Sequence, residues 1–330
     1  MLSSWHPATR TTDVTETVST ALNTPIRLDQ GCSDEDVISA LMAPFPMDGH
    51  VPVPASIYDS YAHLGGSDVF VNSDDTSTCV EPKLEKSLVG AVTAHLLPAA
   101  RPLAQASEDS FHSLLDDAIN YPICTVFDAN TRSVQFRRNQ TLKGLAASSS
   151  GFGADKRPDT MFTIGGLAFF FGEEKSEVAA EGAAERDIMA KCIWSSFTKG
   201  TREFDICYTS YGRLVQFHIM RPPSAGGSVV RLVKIGATLH LDTALDCVCC
   251  LRMAINAVRI NLWQYDEQRP HNVPDLAQFG RIVRSHCVID SMNDFFVKTI
   301  YVIKAGPQDL SRPGYDEARV HKLHQIVCDI

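Results

Sequence analysis

The chain has 330 residues, 44% of them hydrophobic, enough to bury a sizeable core in one large or two smaller domains. No apolar run reaches the ~18 residues that span a bilayer. The start Met1-Leu2-Ser3-Ser4-Trp5-His6 lacks the basic and apolar parts of a secretory signal, so a soluble chain in a reducing, intracellular compartment is expected. The net charge of −9 is confined to 1–80, where two basic residues face eleven acidic ones; the remainder carries 28 of each sign, so acidity does not exclude a nucleic-acid partner.

In chain order, residues 1–78 are rich in Ser, Thr and Asp and read as an acidic, partly ordered arm or a small cap, with short helical pieces such as 35–42. From Cys79 the texture changes. Pro82 suits the first turn of a helix that runs to about Leu97, where Leu84, Leu88, Val92 and Leu96 form one apolar stripe and Glu81 and Glu85 lie beside it. Residues 107–118 read as helix, 121–127 and 133–138 as strands, and 145–155 as a Ser/Gly/Ala-rich loop.

Residues 159–164 then form a strand, Gly165-Gly166 a hairpin turn, and Leu167-Ala168-Phe169-Phe170-Phe171 a buried return strand leading to Gly172-Glu173-Glu174-Lys175. Helical character follows over 176–192. A second hairpin pairs 204–208 with 214–220 about Tyr211-Gly212, 229–241 adds another strand pair or one long strand broken at Gly236, and 243–263 is a helix apolar almost all round. Trp194, Trp263 and the three phenylalanines at 169–171 are expected in the core. Ten cysteines include Cys247 and Cys250 in this last helix; without a second ligand pair at suitable spacing they read as buried thiols and not a zinc site.

The first hairpin carries the chemistry. A two-residue loop sets Asp159 opposite Gly172, and a three-residue loop sets it opposite Glu173. Side chains alternate faces, so Glu173 and Lys175 share one face while Glu174 points away. Two carboxylates, Asp159 and Glu173, and the Lys175 ammonium are therefore expected at one end of the hairpin. Oxygen ligands of this kind suit a hard cation such as Mg²⁺ or Mn²⁺, with the ammonium orienting water or stabilising developing charge. Six basic residues against one acid over 131–157 offer phosphate contacts beside it, with Arg137, Arg138, Lys143, Lys156 and Arg157 as the candidates.

Lys156-Arg157-Pro158-Asp159, a hairpin, then Gly172-Glu173-Glu174-Lys175-Ser176 resembles the PD-(D/E)xK restriction-endonuclease-like superfamily. More narrowly, the pattern resembles the nuclease-like domain of Crinkler-type effectors. The likeness covers roughly 80–262, and Tyr208-Thr209-Ser210-Tyr211-Gly212 is similar to that group's second hairpin. It implies an α/β, restriction-endonuclease-like core with a mixed central sheet flanked by helices over 79–263, preceded by the 1–78 arm and followed by a short α+β extension over 264–330. It further implies metal-dependent hydrolysis of DNA, with Asp159 and Glu173 on Mg²⁺ or Mn²⁺, Lys175 on water, and an auxiliary carboxylate from the first core helix, Glu85 in preference to Glu81. Nuclear localisation belongs to the same resemblance. The alternative is a catalytically silent effector-type module that binds nucleic acid or a host protein. In the tail, Phe296-Val297-Lys298-Thr299-Ile300 and Glu317 resemble the strand lysine and helix glutamate of a kinase small lobe; with no H-R-D loop and no D-F-G, phosphotransfer is not expected.

Overall fold

The structure is a computed structural model that describes residues 8–73, 80–97, 107–128, 134–139, 158–164, 167–192, 202–223 and 229–267, with three further strands between 280 and 300. It is a mixed α/β architecture with a central mixed sheet flanked by helices.

The first elements are α1 (Ala8–Asn23), α2 (Asp34–Met42), β1 (Val51–Val53), α3 (Ala55–Tyr61) and β2 (Phe70–Asn72). Ser33 starts α2 with a capping box: its side chain accepts the Asp36 N–H, and the Asp36 carboxylate accepts the Ser33 N–H. β1 and β2 pair in parallel. These elements are not an arm. Val18, Leu22, Val37, Leu41, Val51 and Phe70 belong to the same buried cluster as Leu88, Phe170 and Leu251. Low average hydrophobicity hid a short stripe, Val14, Val18 and Leu22, that repeats at helical spacing and faces the core.

α4 (Pro82–Thr93) buries Leu84, Leu88 and Val92 as the spacing predicts. Leu96 is 67% exposed, because the helix ends in a 3₁₀ turn over Ala94–Leu96 that rotates it off the stripe. A 3₁₀ turn at Glu108–Phe111 leads into one helical run: α5 (His112–Leu115), a π turn (Asp116–Asn120) and α6 (Tyr121–Asp128). The strand expected over 121–127 is thus a helix. Leu115, Ile119, Ile123 and Val126 are all buried at helical spacing, and this face outweighs the β-branched composition. The π turn lies just before Pro122, where an unbroken α ladder would lose a hydrogen bond and clash with the proline ring.

The sheet runs β3 (Gln135–Arg138), β4 (Thr160–Ile164), β5 (Leu167–Lys175), β6 (Asp205–Tyr211), β7 (Leu214–Arg221) and β8 (Arg231–Lys234) in spatial order, with β9 (Leu239–His240) also on β7. All neighbours are antiparallel except β5 and β6, which are parallel and joined through α7 (Ala183–Lys191). Gly212, at φ +60°, turns β6 into β7, and Gly236, also at φ +60°, separates β8 from β9. One sheet face, with Phe162, Phe170, Tyr208 and Phe217, joins the main core; the other, with Met161, Phe171, Cys207 and Met220, packs with Ile188 of α7.

α8 (Ala244–Glu267) is almost wholly buried as far as Tyr265, beyond the boundary expected at 263. Its polar side chains complete the sheet: Asn261 accepts from Ile206 N at 2.8 Å and donates to Ile206 O at 2.9 Å. Gln264 donates to Phe204 O at 2.7 Å. Cys247 and Cys250 are buried thiols on this helix, and burial pushes the Cys247 thiol up to about 12. Among the described residues no helix is long and apolar enough to cross a membrane. The tail contributes an antiparallel meander, β10 (Gly280–Arg284), β11 (Cys287–Met292) and β12 (Phe295–Ile300), with Lys298 on β12. Trp194 and Glu317 lie outside the described residues.

Candidate functional site

The β4–β5 hairpin contains both expected registers, separated by a β-bulge. Near the turn Ile164 pairs with Leu167 and Thr163 with Ala168; beyond the bulge Phe162 pairs with Phe170, Met161 with Phe171 and Thr160 with Gly172. The extra residue re-aims the far end of β5. Continuing this register sets Asp159 opposite Glu173. The Asp159 carboxylate is fastened there, its Oδ2 accepting the Glu174 N–H at 2.7 Å. Gly172 is required by close approach, since a Cβ there would lie 2.2 Å from Cζ of Tyr208.

Glu173 and Lys175 point to the α7 face. Lys175 Nζ donates to Glu173 Oε1 at 3.0 Å and lies 2.9 Å from Asp187 Oδ2. Lys191 Nζ reaches the same Glu173 oxygen at 2.5 Å. The Glu173 side chain is fully buried, and its Oε2 has no hydrogen-bond partner. Burial and the charge of Asp159 push the Glu173 carboxyl up to about 7, against the pull of the two lysines. Burial pulls the Lys175 ammonium down, but its bonds to Asp187 and Glu173 outweigh this and hold it above the usual lysine range. Lys175 is therefore a fixed cation and not a proton acceptor near neutral pH.

Glu174 points to the other face. It accepts from Arg138 Nη1 at 2.7 Å and from the Tyr208 hydroxyl at 2.8 Å, with His112 Nε2 3.4 Å away. Arg138 Nη2 also holds Asp116 Oδ1 at 2.5 Å. This corrects the phosphate-binding expectation for Arg138, whose guanidinium is committed to two internal carboxylates. Arg137, its neighbour on β3, donates to Gln135 Oε1 at 2.7 Å. Lys143, Lys156 and Arg157 lie outside the described residues.

Glu85 sits in the first turn of α4 and Glu81 just before it, and neither pairs with Lys175 or Lys191. Glu108 comes to the cluster instead, 4.0 Å from Lys175 Nζ, and burial followed by the charge of Asp159 raises its carboxyl. Sequence reasoning missed Glu108, Asp187 and Lys191. A usable signal existed for the last two, which share a face of α7 at four-residue spacing.

A second network on the same face ties α7 to the sheet. Glu185 accepts from the Tyr211 hydroxyl at 2.5 Å and from Thr209 Oγ1 at 3.1 Å, and Thr209 Oγ1 lies 2.8 Å from His218 Nε2. The Ala184 N–H, at the start of α7, donates to the Tyr211 oxygen at 3.0 Å. Burial depresses His218 to about 4. Glu177, two residues beyond Lys175, is paired with Arg213 at 2.8 Å and does not extend the cluster.

Among the described residues no group of three or more His, Cys, Asp or Glu side chains is arranged to hold a metal ion. A two-carboxylate set remains compatible with Mg²⁺, which commonly takes one or two carboxylates and fills its other positions with water and phosphate oxygens. The bare, buried Glu173 Oε2 beside Asp159 fits such a role. Comparisons with protein-family models, curated proteins and solved structures find no match.

Proposed function

We propose that this chain is a metal-dependent nuclease-like domain of the PD-(D/E)xK type that hydrolyses phosphodiester bonds in DNA. The observation that carries this reading is the single cluster formed by Asp159, Glu173 and Lys175, with one buried Glu173 oxygen unpartnered. Asp159 and Glu173 would hold Mg²⁺ or Mn²⁺. A cation there would polarise the scissile phosphate and lower the pKa of a bound water. Lys175, fixed as an ammonium, would orient the attacking water and offset charge building on the phosphate. Glu108 would add a third carboxylate at the rim. Lys191 would hold Glu173 ionised and in place. The β4–β5–β6 arrangement with α7 as crossover supports a restriction-endonuclease-like core.

The test is cleavage of supercoiled plasmid in Mg²⁺ or Mn²⁺ by the wild type beside Asp159→Ala and Lys175→Ala. Nicking or linearisation by the wild type alone is expected; equal activity in all three proteins would refute the assignment.

A specific observation favours the alternative of a silent effector-type module that binds nucleic acid or a host protein. Glu173 Oε1 is already bridged by two ammonium groups, and Lys175 is held by Asp187. Calorimetry separates the readings: a working centre binds Mg²⁺, and this heat disappears in Glu173→Gln.

A further inference from the structure

A groove of about 430 Å³ lies between α4 and the run from the π turn into α6, lined in part by Lys83, Lys86, Ser87, Gly90, Asp117 and Tyr121. This is the size of a small-ligand site. None of these residues belongs to the Asp159–Glu173–Lys175 cluster, so a ligand in the groove is independent of the hydrolytic reading.

Three features of the groove are not explained by folding. Gly90 sits inside α4, where glycine weakens a helix relative to alanine. A Cβ at Gly90 would nevertheless meet nothing within 4 Å, so packing does not call for a glycine; its effect is to keep the groove floor open. Ser87 Oγ is buried without a hydrogen-bond partner. Asp117 is half-buried and has no ion pair among the described residues; burial and its neighbour Asp116 both raise its carboxyl. Lys83 and Lys86 line the groove from α4 and Asp117 lines it from the π turn, so the cations and the carboxylate stand on different walls.

A ligand matching this lining is dipolar. It carries an anion for the lysines, which share one side of α4 at i,i+3 spacing, and hydrogen-bond donors for Asp117. A phosphate monoester suits paired ammonium groups. An ionised carboxylate only accepts hydrogen bonds, and its two oxygens match two adjacent N–H donors. Among the common bases guanine offers such a pair at one edge, whereas adenine and cytosine set a ring-nitrogen acceptor beside the amino group. Tyr121, 50% exposed, lines the groove and supplies an aromatic ring for base stacking. We propose that the α4–α6 groove binds a guanine mononucleotide, with phosphate toward Lys83 and Lys86 and the base edge on Asp117.

Titration calorimetry of the full chain without divalent metal tests this, using GMP, AMP and inorganic phosphate as probes. GMP should bind, with AMP and phosphate at least ~tenfold weaker. Asp117→Asn should lower GMP affinity by a similar factor. Gly90→Leu should abolish GMP binding while leaving the melting temperature unchanged or higher, a result that loss of fold does not produce. Absence of GMP binding, equal binding of AMP or phosphate, or full binding by Gly90→Leu would each overturn the proposal.

Discussion

Glu173 and Glu174 are adjacent carboxylates with opposite fates, because strand alternation sends them to different faces of β5. Glu174 meets a full set of partners, and these make it structural. Replacing Arg138 by Met would strand the buried Glu174 charge and should cost about 3–5 kcal/mol, measurable as a drop in the urea midpoint. Glu173 keeps a bare oxygen, the feature on which its proposed role as a metal ligand rests. In the proposed nuclease, Glu173→Gln should lower metal-dependent cleavage by at least ~100-fold, while Glu85→Gln leaves it unchanged, since Glu85 does not pair with the clustered lysines. His218 sets a pH dependence. Its folded-state value near 4 lies below the ordinary 6.5, so the unfolded chain binds the proton first as pH falls. Its contribution is complete above about 6.5 and is lost toward pH 4, by at most roughly 3 kcal/mol. Glu173, raised to about 7, acts in the opposite sense between 4.5 and 7. The difference between wild-type and His218→Gln unfolding curves over that window therefore isolates the histidine.

At the scale of elements, the hairpin bulge and Gly172 are what bring Asp159 to Glu173. The bulge shifts the register by one residue beyond Phe162, and Gly172 lets the Tyr208 ring come close to β5. Gly172→Ala should displace that ring and its hydroxyl bonds to Glu174 and Thr160, costing more than ~2 kcal/mol by thermal or urea unfolding. The two loop lengths allowed by Gly165-Gly166 each describe half of the hairpin. The face assignment of Glu173 and Lys175 was legible in the sequence because period-two alternation is a local property of any strand. The partners Glu108, Asp187 and Lys191 were not legible, since they arrive from a separate 3₁₀ turn and from α7. Arg138 was misread for the same reason: a run of basic residues in sequence does not reveal that one of them faces inward onto Glu174.

At the scale of the whole molecule, one buried cluster extends from α1 to α8. Removing 1–78 should yield a chain without cooperative unfolding by calorimetry or near-ultraviolet dichroism, because Leu22, Val37, Val51 and Phe70 contribute to the core that also holds Leu251. The C-terminal limit is equally specific. Truncation after Glu267 should preserve the fold, whereas truncation after Trp263 removes Gln264 and Tyr265, whose side chains bond to Phe204 O and Ile164 O. The shorter protein should melt lower by several degrees, consistent with ~1 kcal/mol or more per lost buried hydrogen bond.

The sequence by itself determined the elements whose signal is local. The helical piece at 35–42, the Pro82-led α4, the pairing of both hairpins, the buried α8 and the shared face of Glu173 and Lys175 all follow from residue periodicity and turn chemistry. Tertiary structure alone decided which carboxylate joins Lys175 and which arginine is internal. It also decided that 121–127 is a helix and that the acidic N-terminal region belongs to the core. These depend on contacts between residues far apart in the chain, where burial against a common core outweighs local composition.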